Sequence, residues 1–198
     1  MYHKFLHDAS LYEFLLFIDT DLARTARAGG CRCGGRLHSA RYRRKPRGGP
    51  GEVDPEAEIR ASFCCAVEGC RKRATPVSVR FLGRRVYWGA VVVLGTAMVH
   101  GVSPRRATQL RQLLGVSART LERWRRWWRE SFIETSLWRS MGGRFVPPLD
   151  LGALPASLLE RFCPGSGDLR SKLIATLRFL TPLTTSSSGN GAGTLLGR

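Results

Sequence analysis

Two close pairs of cysteines constrain this chain more than any other feature of its sequence. Cys31 and Cys33 stand in the segment CRCGG, and Cys65 and Cys70 stand in the segment FCCAVEGC. The residues between the pairs form short β-like runs broken by turn residues, with too little apolar material for a core of their own. Four thiolates converging on Zn²⁺ would supply the missing folding free energy. The sequence therefore predicts a Zn²⁺-binding β ribbon over residues 31–83.

The choice of the third metal ligand rests on strand alternation. The spacings are C-x-C and C-x₄-C, which depart from the usual C-x₂-C, and Cys64 competes with Cys65. Alternation places Phe63 and Cys65 on one strand face and Cys64 on the other, which favours Cys65. His38 is a further alternative ligand. If no metal binds, these cysteines are free buried thiols, which is the prediction for Cys163. A closed four-thiolate site is structural and implies no catalysis.

The charge of the chain points to a polyanionic partner. Lysine and arginine number 32 against 15 acidic residues, so the net charge is +17. The excess lies in the middle of the chain, with twelve basic residues against five acidic ones in 31–83 and twelve against three in 84–148. Nucleic acid is the commonest partner of such a surplus, and an acidic substrate is less favoured.

No segment is predicted to direct the chain to or across a membrane. The apolar start over residues 11–18 is interrupted by Glu13 and followed by Asp19, which favours an amphipathic helix over a signal peptide. The longest apolar run, residues 86–99, is shorter than the roughly 20 residues that span a bilayer, so a buried helix is expected. The predicted location is the cytoplasm, where cysteines more often bind metals than form disulfides.

The predicted fold is mainly α with a small β zinc ribbon. Its five segments are an N-terminal helix (1–30), the ribbon (31–83), a helix-turn-helix bundle (84–138), a C-terminal helical segment (139–183) and a disordered tail (184–198). Periodicity predicts helices at residues 10–27, 84–99, 104–114, 118–131, 155–162 and 168–180. Ser10 is the predicted N-cap of the first helix, and the triplet 91–93 could also form a strand. The β-like runs are 36–44, 57–65 and 75–82, and the stretch after Trp138 is expected to be loop through Pro148.

Residues 104–131 have the pattern of a helix-turn-helix. Apolar side chains recur through both helices, Gly115 interrupts the pattern, and Ser117 is a suitable N-cap for the second helix. One departure is Arg111, because a small residue usually stands four positions before the turn glycine. The buried stripe of the second helix is predicted to be Leu121, Trp124, Trp128 and Phe132. Trp127 falls off that stripe, and it could be exposed or pack on the C-terminal helices.

The opposite face of the second helix is rich in arginine. Arg119, Arg123 and Arg126 would be free to enter a major groove, where arginine pairs with guanine, and Glu130 lies on the same face. Arg125 and Arg129 flank the stripe and are candidates for phosphate contacts. Basic runs over 41–47 and 71–73 add further patches. The predicted nucleic-acid-binding residues are Arg43, Arg44, Arg71, Arg73, Arg119, Arg123, Arg125, Arg126 and Arg129.

Taken together, these motifs resemble the DNA-binding part of a known family. CRCGG, FCCAVEGCRKR with TPVSVRF, and GVSPRRATQLRQLLGVSARTLERWRRWWRE resemble the N-terminal region of bacterial insertion-sequence transposases and related mobile-element proteins. The resemblance covers residues 31–130. It implies that the ribbon and helix-turn-helix recognise element ends, while a separate RNase-H-like domain with three carboxylates cuts DNA.

No such cutting domain is expected in this chain. The carboxylates after Arg129 stand on segments without the run of strands that brings carboxylates to two metal ions. The prediction is a DNA-binding protein that is not an enzyme, acting as an accessory factor, a regulator or a remnant of a mobile element. The alternatives are an RNA-binding or ribosome-associated zinc-ribbon protein and a subunit of a larger enzyme complex. The sequence leaves the oligomeric state open.

Overall fold

The computed structural model describes residues 2–82, 87–98, 103–163 and 167–185. Within these ranges the protein is mainly helical with a small antiparallel β component, which confirms the predicted fold class at that level. The helices are α1 (Tyr2–Leu6), α2 (Ala9–Ala28), α3 (Gly89–Met98), α4 (Pro104–Leu114), α5 (Ala118–Arg126), α6 (Ser136–Met141), α7 (Ala156–Arg161) and α8 (Leu169–Phe179).

Five short strands form two small antiparallel sheets. They are β1 (Leu37–Ser39), β2 (Tyr42–Arg43), β3 (Ile59–Arg60), β4 (Phe63–Cys65) and β5 (Arg73–Ala74). One sheet has the order β1-β4-β5, and the other pairs β2 with β3. The prediction of a β-like run over 75–82 is wrong. This segment forms no strand, and Phe81 makes only an isolated bridge to Trp88. Ser78 and Arg80 instead turn inward to bind a buried carboxylate.

Helix α2 confirms the predicted N-terminal helix but begins one residue earlier. The N-cap is Asp8, whose carboxylate accepts a hydrogen bond from the Ser10 amide at 3.0 Å, so the prediction of Ser10 as the cap is wrong. An ionised carboxylate caps the amides of a first turn at least as well as a hydroxyl does. The apolar stripe, including Leu11 and Leu15, is buried as expected. Helix α1, which precedes it, was not predicted.

Helix α3 is the centre of the main hydrophobic core. All residues from Gly89 to Ala97 are buried, and α1, α4, α5, α7 and α8 contact it. The valine triplet at 91–93 is therefore helical, because a segment surrounded by helices has no strand to pair with. Predicted residues 84–86 and 99 of this helix lie outside the described ranges. The core also takes in Ala57, Val79 and Phe81, which come from the predicted ribbon segment, so it extends across the predicted boundary at residue 83.

A π turn ends the second helix of the predicted motif. The regular α-helix stops at Arg126, and the Phe132 amide donates to the Trp127 carbonyl at 2.8 Å. The predicted helix over 118–131 is thus α-helical only in its first part. A π turn holds one residue more than an α turn, which shifts the faces that follow it. Both Trp127 and Trp128 are consequently buried, with ring centroids 4.8 Å apart.

The loop expected after Trp138 is partly helical. Helix α6 continues to Met141 and is followed by a 3₁₀ turn, Gly142–Arg144. The Thr135 side chain caps α6 by accepting from the Trp138 amide at 3.1 Å. The Trp138 ring stacks on Phe145, with ring centroids 5.9 Å apart. Aromatic packing against the core therefore orders a stretch that lacks helical periodicity.

The prediction that the tail is disordered from residue 184 is wrong for Thr184. Thr184 ends a short 3₁₀ helix, Thr181–Thr184, and is buried. Its hydroxyl accepts a hydrogen bond from the Ser78 amide at 3.0 Å. Residues 186–198 of the predicted tail lie outside the described ranges.

Candidate metal centre and basic surfaces

The four predicted metal ligands lie together. The Sγ atoms of Cys31, Cys33, Cys65 and Cys70 are all within 4.8 Å of one another. Two of the separations are 3.7 Å, from Cys31 to Cys70, and 3.5 Å, from Cys33 to Cys65. Tetrahedral zinc with Zn–S bonds of about 2.3 Å needs sulfur atoms about 3.8 Å apart. The donor set and its spacing therefore fit one four-coordinate metal ion.

Two tight turns bring the thiols together. After α2, the Cys31 amide donates to the Gly35 carbonyl at 2.9 Å and the Gly34 amide donates to the Cys31 carbonyl at 2.8 Å. After β4, the Cys70 amide donates to the Val67 carbonyl at 3.0 Å. A Cβ atom on Gly35 would lie 2.8 Å from the Cys65 Sγ atom. Only glycine therefore lets the first turn approach the second this closely.

The alternative ligands lie outside the cluster. Cys64 pairs with Arg73 in the sheet, and its Sγ atom lies 3.5 Å from the Arg71 carbonyl. His38 is opposite Cys64 in the register and is exposed. Among the described residues the cluster holds only the four cysteines named above. Cys163 is a free thiol, but the prediction that it is buried is wrong, because it is exposed at the end of a short helix.

Without a metal, the Cys33 and Cys65 thiols have shifted pKa values of opposite direction. A hydrogen bond from the Gly35 amide, followed by bonds with the other three thiols, lowers the pKa of Cys33 to about 7. The Val67 amide favours the Cys65 thiolate, but burial and bonds to the neighbouring thiols outweigh it and raise the pKa of Cys65 to about 12. Metal ligands must be deprotonated, so an ion binding here displaces protons from this cluster.

Of the four basic residues predicted on the ribbon, two lie on strands and two lie close to strands. Arg43 is exposed on β2, and Arg73 is exposed on β5. Arg71 is exposed next to Cys70, with a positive φ of 45°. Arg44 is half-buried, with its guanidinium 5.5 Å from the Tyr42 ring centroid. Packing on an aromatic ring engages part of Arg44, so its cationic group is less available than that of Arg43.

The arginines of α5 and its π turn differ in their surroundings. Arg119 and Arg126 are exposed. Glu122 lies 3.4 Å from both Arg125 and Arg129, which compensates part of their charge. Arg123 is half-buried, and its Nε atom is buried without a hydrogen-bond partner among the described residues. The predicted inward stripe, from Leu121 to Phe132, is buried as expected.

A buried ion pair beside the ribbon was missed from the sequence. Asp19 accepts hydrogen bonds from Arg80 Nε at 2.8 Å and from the Val79 amide at 2.7 Å, and both charged side chains are at most 5% exposed. Arg80 also donates to the carbonyls of Ala57 and Ile59. This network ties α2 to the segment after β5. The available signal was Asp19 itself, a carboxylate four positions after Leu15 on the inward face of the helix.

No protein-family model, curated protein or solved structure matches this chain. Its function therefore has to be argued from its own residues. In the ranges that the structure describes, no helix combines the length and apolar character needed to cross a bilayer.

Proposed function

We propose that this chain is a zinc-binding, non-catalytic DNA-binding protein, organised like the DNA-binding part of insertion-sequence transposases. In this proposal it acts as an accessory or regulatory factor or is a remnant of a mobile element. The observation that carries the proposal is the pair α4 and α5, joined by a tight turn, with arginines on the side of α5 opposite its buried stripe.

The packing of three helices supports a helix-turn-helix. Helices α3, α4 and α5 contact one another, as the three-helix core of such a motif requires. Gly115 has φ +60°, which a turn glycine adopts without strain. The Ser117 hydroxyl accepts from the Thr120 amide at 3.1 Å and so caps α5. Arg111 is half-buried and donates to the Thr108 hydroxyl at 3.3 Å, so this bulky residue lies at the edge of the pair rather than between the helices.

The cysteine cluster supports zinc as the bound metal. Sulfur-only sites with tetrahedral spacing suit Zn²⁺, which in a closed site has a structural role. Cys31, Cys33, Cys65 and Cys70 would hold the ion, and it would contribute folding free energy to a sheet with few buried side chains. The basic residues near the cluster, Arg71 and Arg73, would then be held in a defined position relative to the helices.

The proposal assigns the arginines two roles. Arg119, Arg123 and Arg126 would contact base edges in the major groove. Phosphate contacts would come from residues that flank that face or lie on the ribbon. These are Arg125, Arg129, Arg43, Arg44, Arg71 and Arg73.

Binding measurements on two duplexes test these roles. A duplex selected from a random pool and a scrambled duplex would be titrated with wild-type protein, Arg126→Ala and Arg43→Ala at several salt concentrations. Arg126→Ala should lose about 1–3 kcal/mol on the selected duplex and little on the scrambled one. Arg43→Ala should weaken both equally and flatten the plot of log affinity against log salt by about one unit.

Arg178→Ala provides the matched control, because this exposed arginine lies on α8. It should bind both duplexes as the wild type does. If Arg126→Ala loses affinity equally on both duplexes, α5 is only a basic surface and base readout by it is refuted. A structured RNA of equal length that displaces the selected duplex at equal concentration would overturn DNA as the partner in favour of RNA. Cleavage of the duplex by pure protein with Mg²⁺ would overturn the non-catalytic assignment.

A further inference from the structure

Two adjoining cavities form a groove where α2 meets the ribbon. The first, of about 250 Å³, is lined by α2, by residues of β1, β3 and β4, and by Arg41, which lies between β1 and β2. The second, of about 600 Å³, is lined by the end of α2 and the loop from Gly29 to Leu37, including Arg36. Arg24 and Arg27 line both cavities. We call this surface the seam groove and define it by Arg24, Arg27, Arg36 and Arg41.

The seam groove carries excess positive charge. The acidic residues that line it are Asp19 and Glu56, and Asp19 is already compensated by Arg80. Glu56 lies 3.4 Å from Arg41, and both side chains are more than half exposed. Arg27 and Arg36 are exposed and form no ion pair within the described ranges. Solvent-exposed pairs are weak, so an incoming anion can displace them.

The exposed pairs therefore leave the groove available to a ligand. Arg24 and Asp21 form a similar pair, at 3.3 Å, with both side chains at least two-thirds exposed. The four arginines that define the groove therefore make no buried ion pair within the described ranges.

The arrangement of these arginines favours an extended ligand over a small anion. A small-anion site needs buried cations that converge on one point, and the one buried arginine lining the groove, Arg80, is occupied by Asp19 and by backbone carbonyls. The four defining arginines are instead exposed and distributed along two cavities. A ligand with regularly spaced negative charges matches this distribution, as the sugar-phosphate backbone of a nucleic acid does.

We infer that the seam groove binds the phosphate backbone of the nucleic acid, as a contact additional to α5 and to the ribbon patches described above. The inference rests on the proposed function. Its arginines belong to α2 and to the ribbon, so a backbone seated here would contact the elements that the metal and the Asp19–Arg80 pair hold together. Phosphate contacts of this kind contribute affinity equally on every sequence.

The double variant Arg27→Ala, Arg36→Ala tests the inference, because neither side chain makes an ion pair within the described ranges. It should bind the selected and scrambled duplexes more weakly by the same factor and flatten the salt plot by about two units. The matched control is Arg139→Ala, Arg178→Ala, which removes the same charge from α6 and α8 and should leave affinity and slope unchanged. Metal analysis and thermal unfolding should show both double variants loaded with zinc and folded.

Chemical modification of arginine tests directly whether the duplex covers the seam groove. Phenylglyoxal, which modifies accessible arginines, should modify Arg27, Arg36 and Arg178 in the free protein. Mass spectrometry should then show that the duplex protects Arg27 and Arg36 and leaves Arg178 reactive.

The outcomes separate this inference from the proposed function. If the groove variant keeps wild-type affinity and slope, or if Arg27 and Arg36 react equally with and without duplex, the seam groove is not a backbone contact. If Arg126→Ala still loses affinity on the selected duplex in that case, the proposed function survives. If neither variant weakens binding, both the groove and the α5 assignment are overturned.

Discussion

The two hydrophobic cores of this protein differ greatly in what they bury. The main core surrounds α3 with five other helices and includes large side chains such as Trp124, Trp128 and Phe132. Among the residues that the structure describes, the buried members of the small core beneath the sheet β1-β4-β5 are Leu37, Phe63 and Cys65. Fixing the backbone costs about 1–2 kcal/mol per residue, which three buried side chains cannot offset for the whole sheet. We therefore expect the helical body to fold by packing, and the sheet to depend on a metal ion bound by the cysteine cluster.

Metal removal should have the largest effect and should affect one region. Structural zinc contributes about 10–16 kcal/mol in isolated zinc-finger peptides, so chelation or Cys70→Ser should unfold β1, β4 and β5. The helices around α3 should remain folded. Hydrogen exchange would show lost protection in β1, β4 and β5 and retained protection in α3 and α8. Cys64→Ser is the matched control and should retain one metal ion per chain. Loss of protection in α3 at the same chelator concentration would show that the two regions fold as one unit.

Asp19→Ala should weaken the connection between α2 and the segment after β5. It leaves Arg80, 3% exposed, as an uncompensated buried charge, which costs about 3–5 kcal/mol. Urea unfolding monitored by circular dichroism measures this loss. Asp21→Ala removes an exposed carboxylate two positions away and should cost less than about 1 kcal/mol. Equal losses from the two variants would mean that the buried pair does not couple α2 to the segment after β5.

A pair of leucine substitutions compares the cores directly. Leu94→Ala opens a cavity in the fully packed main core and should lower the free energy of unfolding by about 2–5 kcal/mol. Leu37→Ala, in the small core, should leave the melting of the helices nearly unchanged and weaken metal binding instead. Thermal unfolding and competition with a zinc chelator measure the two effects. The comparison fails if Leu37→Ala destabilises the helices as much as Leu94→Ala does.

The smallest effect is a pH dependence confined to the helical body. Hydrogen bonds from the Ser171 hydroxyl and the Arg170 amide lower the pKa of Asp168, the N-cap of α8. A carboxylate with a lowered pKa contributes stability above its ordinary value near 4, and this contribution is lost as the pH falls through the folded-state value. Asp168→Asn keeps a capping side chain but cannot titrate. Its melting temperature should fall less than that of the wild type below about pH 4, and identical acid profiles would contradict this.

The sequence correctly predicted the features that are determined by residues close together in the chain. The alternation of Phe63, Cys64 and Cys65 was enough to place Cys65 rather than Cys64 in the cysteine cluster, because successive side chains in a strand point to opposite faces. Gly115 and Ser117 marked the turn before α5, because a glycine with positive φ and a capping hydroxyl act within a few residues. Each of these features is set by the chain next to it.

Features that depend on distant contacts could not be predicted. The run over 75–82 has the composition of a strand, but Ser78 and Arg80 bind Asp19, which is about sixty residues away. The π turn after Arg126 buries both Trp127 and Trp128, and their rings pack in a core that is built from distant segments. The seam groove combines α2 with the ribbon, and no local pattern links Arg27 to Arg41.

The sequence by itself determined the helical class, the four clustered cysteines and the arginine-rich face of α5, because these depend on periodicity, spacing and composition within short segments. The tertiary structure alone decided which buried charges pair, how α2 joins the sheet and where the arginines outside α5 gather. Those outcomes depend on contacts between segments far apart in the chain, where packing and the avoidance of unpaired buried charge outweigh local preference.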